Sequence, residues 1–338
     1  MRPEELLSLL GARNTDSAVE SALVYCRVRN RPEVKIDEDD ADGPVVETQS
    51  WVKNSRAGIE FGFDDEAAWR GLDETQFGQG PMVLTEIYFY GTHEGVRPYE
   101  EALPFGLKLT DDRATARERM ARFEATRHSY IRDTWDAPEF RITVSYTEDE
   151  SAVAFVLCAL RELPLPPLNY LLAPVPAIDT LIALLGLALD DPAVEQALDP
   201  LGLQDRIEQI EEIGEADFLN PHGLSITFAA PDKKRKSWRQ DTLLSGMTFC
   251  QERELGARGW PGKMPYGVTF DDSPEMVTEK VGRAPDVRED EDFSGYAIWN
   301  EPSLTFQILY STMDNRVMRS SVFAPGLWKG SDEKDDNE

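Results

Sequence analysis

Apolar and polar residues alternate most regularly at Phe140, Ile142, Val144 and Tyr146, with Arg141, Thr143 and Ser145 between them. A period of two over seven residues predicts a half-buried strand. The pattern returns at Leu304, Phe306, Ile308 and Tyr310. Strand-like runs at 58–63 and 223–228, at 83–90 and 243–250, and at 152–160 and 316–323 come in pairs as well. Helical spacing predicts a short amphipathic helix over 5–11, then a second whose N-cap is Asp16. Asp191 followed by Pro192 marks the corresponding start later on, since a carboxylate cap followed by proline in the first turn favours helix entry. A further pair of helices is expected from a cap near Thr110 in one half. In the other it runs from Asp272 or Ser273, before Pro274, to a stop at Gly282. Over 204–217, Ile207, Ile210 and Ile213 form one helical stripe beneath Glu208, Glu211, Glu212 and Glu215, which predicts an acidic amphipathic helix.

These pairings follow from an internal duplication. Leu103-Pro104-Phe105-Gly106-Leu107 returns as Met264-Pro265-Tyr266-Gly267-Val268 at an offset of 161, with Tyr99 and Trp260 ahead of the two copies at the same distance. Trp135, Pro138 and Tyr146 recur as Trp299, Pro302 and Tyr310 at an offset of 164. Leu9-Leu10-Gly11 and Asp16-Ser17-Ala18-Val19-Glu20 recur near 184–186 and 191–195 at an offset of 175. The expected fold is therefore α+β: two tandem homologous domains, each with N-terminal helices and a mostly antiparallel sheet with a helix packed on it. The first repeat spans 1–163, a proline-rich linker 164–176, the second repeat 177–328, and an acidic tail 329–338. Between the helical start and the next shared strand the copies diverge, and divergent loops are where specificity resides.

Length agrees, since 338 residues suit two cores of about 150 residues each. With 63 acidic against 35 basic residues the net charge is −28. Such a chain repels nucleic-acid phosphates and anionic membrane surfaces and favours a basic partner. The acidic stretch 37–42 reads as a solvated loop, and Lys233-Lys234-Arg235-Lys236 as a charged loop tip. Cys26, Cys158 and Cys250 are odd in number, lack metal-ligand spacing and sit in apolar runs, so reduced buried thiols in the cytoplasm are expected. The N-terminal apolar stretch is too short and too acidic for a secretory signal, and prolines interrupt the apolar region 163–189, so no membrane span is expected.

No motif announces chemistry. His93, His128 and His222 lie in no HExxH pattern, no GxSxG occurs, and Gly78-Gln79-Gly80 lacks the basic residue of a phosphate loop. With 63 carboxylates, chance alone supplies pairs at a glycosidase-like separation. Neither catalytic residues nor a metal or cofactor site is expected. Trp135 and Trp299, each just ahead of an alternating strand, read as paired core residues, whereas Tyr99 and Trp260, in loops, are the aromatic candidates for partner contact.

Residues 87–109, with Tyr99 and the Leu103–Leu107 motif, followed by a capped helix, a Trp and alternating strands, resemble bacterial toxin-immunity proteins of type VI or contact-dependent secretion systems. The helix-then-strands portion also resembles SmpA/OmlA-like and β-lactamase-inhibitory-protein-like modules. That resemblance implies a binding protein that blocks an enzyme; taken with the charge and the lack of a signal, the expectation is a cytoplasmic, non-enzymatic protein that binds and neutralises a basic toxin such as a nuclease. The candidate contacts are Glu208, Glu211, Glu212, Glu215, Tyr99 and Trp260. An acidic scaffold or adaptor of a secretion system, or a hydrolase without a recognisable motif, is the alternative.

Overall fold

The computed structural model describes residues 1–37, 45–123, 125–168, 171–229 and 238–325. Most of the acidic stretch 37–42, the basic run 233–236 and the acidic tail 329–338 lie outside the described residues. The chain divides into two compact units, Met1–Pro166 and Pro167–Glu338, the boundary falling within the proline-rich segment. Acidity is shared between them: 32 acidic and 19 basic residues in unit 1, 31 and 16 in unit 2.

Unit 1 runs α1 (Pro3–Leu7), α2 (Ser17–Tyr25), β1 (Lys35–Asp37), β2 (Val45–Glu47), β3 (Gln49–Asn54), β4 (Ile59–Asp65), α3 (Glu66–Trp69) and β5 (Met82–Tyr90). It continues with α4 (Arg113–Met120), β6 (Thr126–Ser129), β7 (Arg132–Asp136), β8 (Phe140–Tyr146) and β9 (Val153–Leu160). Unit 2 has α5 (Ile178–Ala183), α6 (Pro192–Leu198), α7 (Ile207–Ile213), β10 (Glu215–Phe218), α8 (Leu219–His222), β11 (Leu224–Phe228), α9 (Trp238–Asp241) and β12 (Leu244–Cys250). There follow α10 (Pro274–Val281), β13 (Val287–Asp290), β14 (Ser294–Asn300), β15 (Thr305–Ser311) and β16 (Arg316–Phe323). The β1–β2 hairpin forms a small sheet of its own. No helix of the described residues is long and apolar enough to cross a membrane.

Each unit is built on a seven-stranded antiparallel sheet, in the order β3-β4-β5-β9-β8-β7-β6 in unit 1 and β10-β11-β12-β16-β15-β14-β13 in unit 2. The orders correspond strand for strand, and the alternating strands β8 and β15 hold the same place. Even the irregularities recur: register shifts at Ser145/Tyr146 and Leu309/Tyr310, and at Gly62/Phe63 and Thr227/Phe228, sit at equivalent points. A bulge is a local feature that a sheet of this order does not require, so matched bulges carry the duplication down to the backbone.

The core lies on one face of each sheet. In unit 1, Val52, Phe61, Phe89, Ile142 and Val144 join Leu6 and Leu23 of the first helices and Met120 of α4. In unit 2, Ile226, Phe249, Phe306 and Ile308 join Leu181, Leu198 and Val277. Trp135 stands opposite Ile142 and Trp299 opposite Phe306, both at 1% exposure or less.

Two details differ from the sequence reading. The cap of α4 is Asp112, whose carboxylate accepts the Thr115 N–H at 2.8 Å, while the Lys108 N–H goes to Asp111. Thr110 lies inside the turn these two aspartates close. In the Pro-aromatic-Gly element the aromatic, as well as the glycine, is left-handed: Phe105 has φ 63° and Tyr266 φ 56°, beside Gly106 at 76° and Gly267 at 69°. A non-glycine residue there costs about 1–2 kcal/mol. The tertiary return is ring packing, Phe105 on Phe123 at 5.3 Å and Tyr266 on Phe306 at 4.9 Å.

Candidate functional site

The divergent segment of unit 2 is an acidic edge. A 3-10 turn over Leu203–Arg206 leads into α7, Gly214 reverses the chain in a left-handed conformation (φ 73°), and β10 follows as the terminal strand of the sheet. The expected single helix over 204–217 is thus a short helix plus a strand, with Glu215 on the strand. Leu203, Ile210, Ala216 and Phe218 anchor it in the core. An end strand exposes unpaired backbone groups that invite foreign strands. Here α7 covers part of that edge: the Gln209 side-chain oxygen accepts the Asp217 N–H at 3.1 Å, and Arg206 Nε donates to the Asp217 carbonyl at 2.8 Å.

Glu208, Glu211 and Glu212 on α7, and Glu215 and Asp217 on β10, are all exposed. Glu208, Glu211 and Glu215 have no ion-pair partner among the described residues. Arg206 is the lone cation of the segment 204–217, and it is turned to the Asp217 carbonyl and the Phe218 ring. The isoleucine stripe is only partly realised. Ile210 is fully buried, whereas Ile213 is 61% exposed. Residues three apart are separated by about 300° around a helix, so each step slips about 60° and two steps carry Ile213 away from the face of Ile207. The stripe predicts Ile213 on the buried face; the structure exposes it to solvent.

The aromatic candidates are corrected. Tyr99 and Trp260 are each 6% exposed and belong to the cores of their units, so neither is a surface contact. Tyr99 packs edge-on against Phe89 at 5.1 Å, and Trp260 lies at 4.9 Å from Phe249. Both segments lie over the sheet by the same device. The Tyr99 N–H donates to Tyr90 O and that of Trp260 to Cys250 O, while Gly58 and Gly223, with φ of 67° and 65°, pass so close that a Cβ would meet backbone at 2.4 and 2.3 Å. A shared offset before a shared motif signalled a common structural role, and burial is that role. The Tyr99 hydroxyl is buried without a hydrogen-bond partner among the described residues. Tyr99→Phe should therefore leave stability unchanged or raise it by up to about 1 kcal/mol. Equilibrium denaturation showing a loss above 1 kcal/mol would contradict the core assignment.

A buried charge cluster lies under α4. The Asp133 carboxylate, at 0% exposure, receives Arg113 Nη2 at 2.9 Å, Arg117 Nε and Nη2 at 2.7 Å, and the Tyr146 hydroxyl at 3.2 Å. Burial pushes its pKa up, but the guanidinium hydrogen bonds of Arg117 and Arg113 outweigh that and hold it below the usual carboxylate range. Such a group is poorly suited to take up a proton, so the cluster reads as a clamp between helix and sheet. Unit 2 keeps the tyrosine but surrounds it with a different set of charges. There α10 contributes Glu275, and β13 contributes Arg288 together with Asp290, which accepts from the Tyr310 hydroxyl at 2.8 Å. A guanidinium still lies over the ring in both units, Arg113 over Tyr146 at 5.4 Å and Arg288 over Tyr310 at 5.7 Å.

All three cysteines are buried, and loss of hydration pushes the Cys26 and Cys250 thiols up to about 11. Among the described residues no group of three or more His, Cys, Asp or Glu side chains is placed to hold a metal ion. Comparison with known protein families, curated proteins and solved structures finds no match.

Proposed function

We propose that the protein is a non-enzymatic binding protein that captures a basic protein partner on the acidic edge of unit 2, and that this partner is a toxin which it neutralises in the cytoplasm. The observation that carries the reading is a short acidic segment that exposes Glu208, Glu211, Glu212 and Glu215 together with one large apolar side chain, Ile213, and whose lone cation, Arg206, is turned to the Asp217 carbonyl. Protein interfaces combine exposed apolar side chains with polar and charged ones. Clustered carboxylates supply long-range steering toward a cationic surface. The toxin assignment rests on the sequence resemblance.

Affinity capture from the native cell identifies the partner, and binding kinetics across a salt series then test the edge. Reversing Glu208, Glu211, Glu212 and Glu215 to Lys should lower the association rate by about 10-fold or more at low salt, and much less at high salt, without impairing folding. An association rate insensitive to both the reversal and salt would refute the reading.

A further inference from the structure

Unit 1 contains the electrostatic opposite of the acidic edge. A cleft of about 560 Å³ opens between the turn that leaves α2 and the β3–β4 hairpin, and its walls carry Arg27, Arg29, Lys53 and Arg56 with no acidic side chain among the lining residues. All four cations are exposed, and none has an ion-pair partner among the described residues. Nearby Arg31 behaves differently. It is neutralised by Glu20 at 2.6 Å, and its guanidinium also holds the carbonyls of Val28 and Asn30.

The walls are fixed rather than incidental. Asn54 Nδ2 donates to the carbonyls of Cys26 at 2.9 Å and Arg27 at 3.3 Å, binding the two loops together, and its Oδ1 accepts the Arg56 N–H at 3.1 Å. The Arg97 N–H secures the hairpin tip through Ser55 O at 2.8 Å. Arg27 itself adopts a left-handed backbone (φ 55°). In unit 2 the corresponding stretches, 201–205 after α6 and 219–223 before β11, contain neither Lys nor Arg. The copies share the scaffold and differ in the charge placed on it.

We propose that this cleft binds a small anion carrying several linked phosphate groups. Four cations converge on a volume within the range of ligand pockets, about 300–1000 Å³, and arginine forks suit phosphate oxygens. Asn30 and Ser55 add neutral polar groups, and no aromatic ring or large apolar side chain lines the walls to hold a base or an acyl group. The phosphate chain is thus the recognised feature. The net charge of −28 does not oppose this at close range, because charges more than about 8 Å away are largely screened at physiological salt. The inference is independent of the acidic edge.

The test is calorimetric titration of the full chain with inorganic tripolyphosphate and, separately, with orthophosphate. One saturable site is expected, at least tenfold tighter for tripolyphosphate. Arg29→Ala with Lys53→Ala should weaken it at least tenfold with an unchanged unfolding midpoint, Arg56→Ala should weaken it on its own, and Lys263→Ala, on an exposed residue of unit 2, should leave it unaltered. Absence of saturable binding, or equal binding by all variants, overturns the proposal. So does a hexaglutamate peptide binding more tightly than tripolyphosphate, which would assign the cleft to an acidic protein segment.

Discussion

Replacing Trp135 or Trp299 by alanine should cost about 3–5 kcal/mol each, enough to remove much of the stability of one unit. Both indoles are among the largest fully buried side chains, and each stands in the second-to-last strand of its sheet against a core residue of the neighbouring strand. Trp299 also loses two specific contacts, the Nε1–H bond to Arg283 O at 3.0 Å and the Phe306 ring at 5.4 Å. Chemical denaturation should place each loss in the transition of its own unit. A loss below about 1 kcal/mol accompanied by abolished partner binding would turn these residues into contacts.

Asp133→Ala should cost about 3 kcal/mol. Removing one partner of a buried ion pair typically costs 3–5 kcal/mol, because the remaining charge stays behind uncompensated. Here Arg113 and Arg117 lose their shared carboxylate and the Tyr146 hydroxyl its acceptor. The figure falls at the low end because Arg117 is 42% exposed and regains water, while Arg113 keeps Glu150 and the carbonyls of Tyr130 and Arg132. Asp133 has a folded pKa below its unfolded value, near 3.9. Its contribution is therefore fully present above that value and lost as pH falls through the lower, folded pKa. Asp133→Asn should flatten this part of the acid-unfolding profile. An acid dependence identical to that of the parent would show that the carboxylate is not held in its charged form by the arginines.

The charge cluster of unit 2 shows how far the copies have diverged. The tyrosine and the guanidinium over its ring persist, yet the arginine comes from helix α4 in one unit and strand β13 in the other. Asp133 stands on β7, whose counterpart is β14, whereas Arg288 and Asp290 stand on β13, the counterpart of β6, so the two clusters are built from different places around the shared tyrosine. By the offset of 161, Arg113 falls on Pro274 and Arg117 on Thr278, so no comparison of aligned positions reveals the equivalence.

The sequence alone determined the two α+β repeats, the principal strands, the cap at Asp191, and the pairing of Trp135 with Trp299 and Tyr146 with Tyr310, while the structure chose Ser273 over Asp272 as the cap of α10. Alternation is set by the strand itself, and capping within about three residues, so both are written locally, while the duplication supplied a second reading of each. The tertiary structure alone decided where the loops lie. Tyr99 and Trp260 were drawn into the cores by backbone hydrogen bonds to strands about ten residues earlier and by the close passage of Gly58 and Gly223. Glu215 was moved from a helix to an edge strand by the left-handed turn at Gly214, and Ile213 was exposed by the slip of a three-residue spacing around a helix. The basic cleft is the furthest from the linear pattern. Arg27 and Arg29 stand some 25 residues from Lys53 and Arg56, and they converge because one side chain, Asn54, bonds to the carbonyls of the other loop. A charge pattern along a chain records how many cations there are; only the fold, by bringing distant loops within hydrogen-bond reach, determines which of them share a surface.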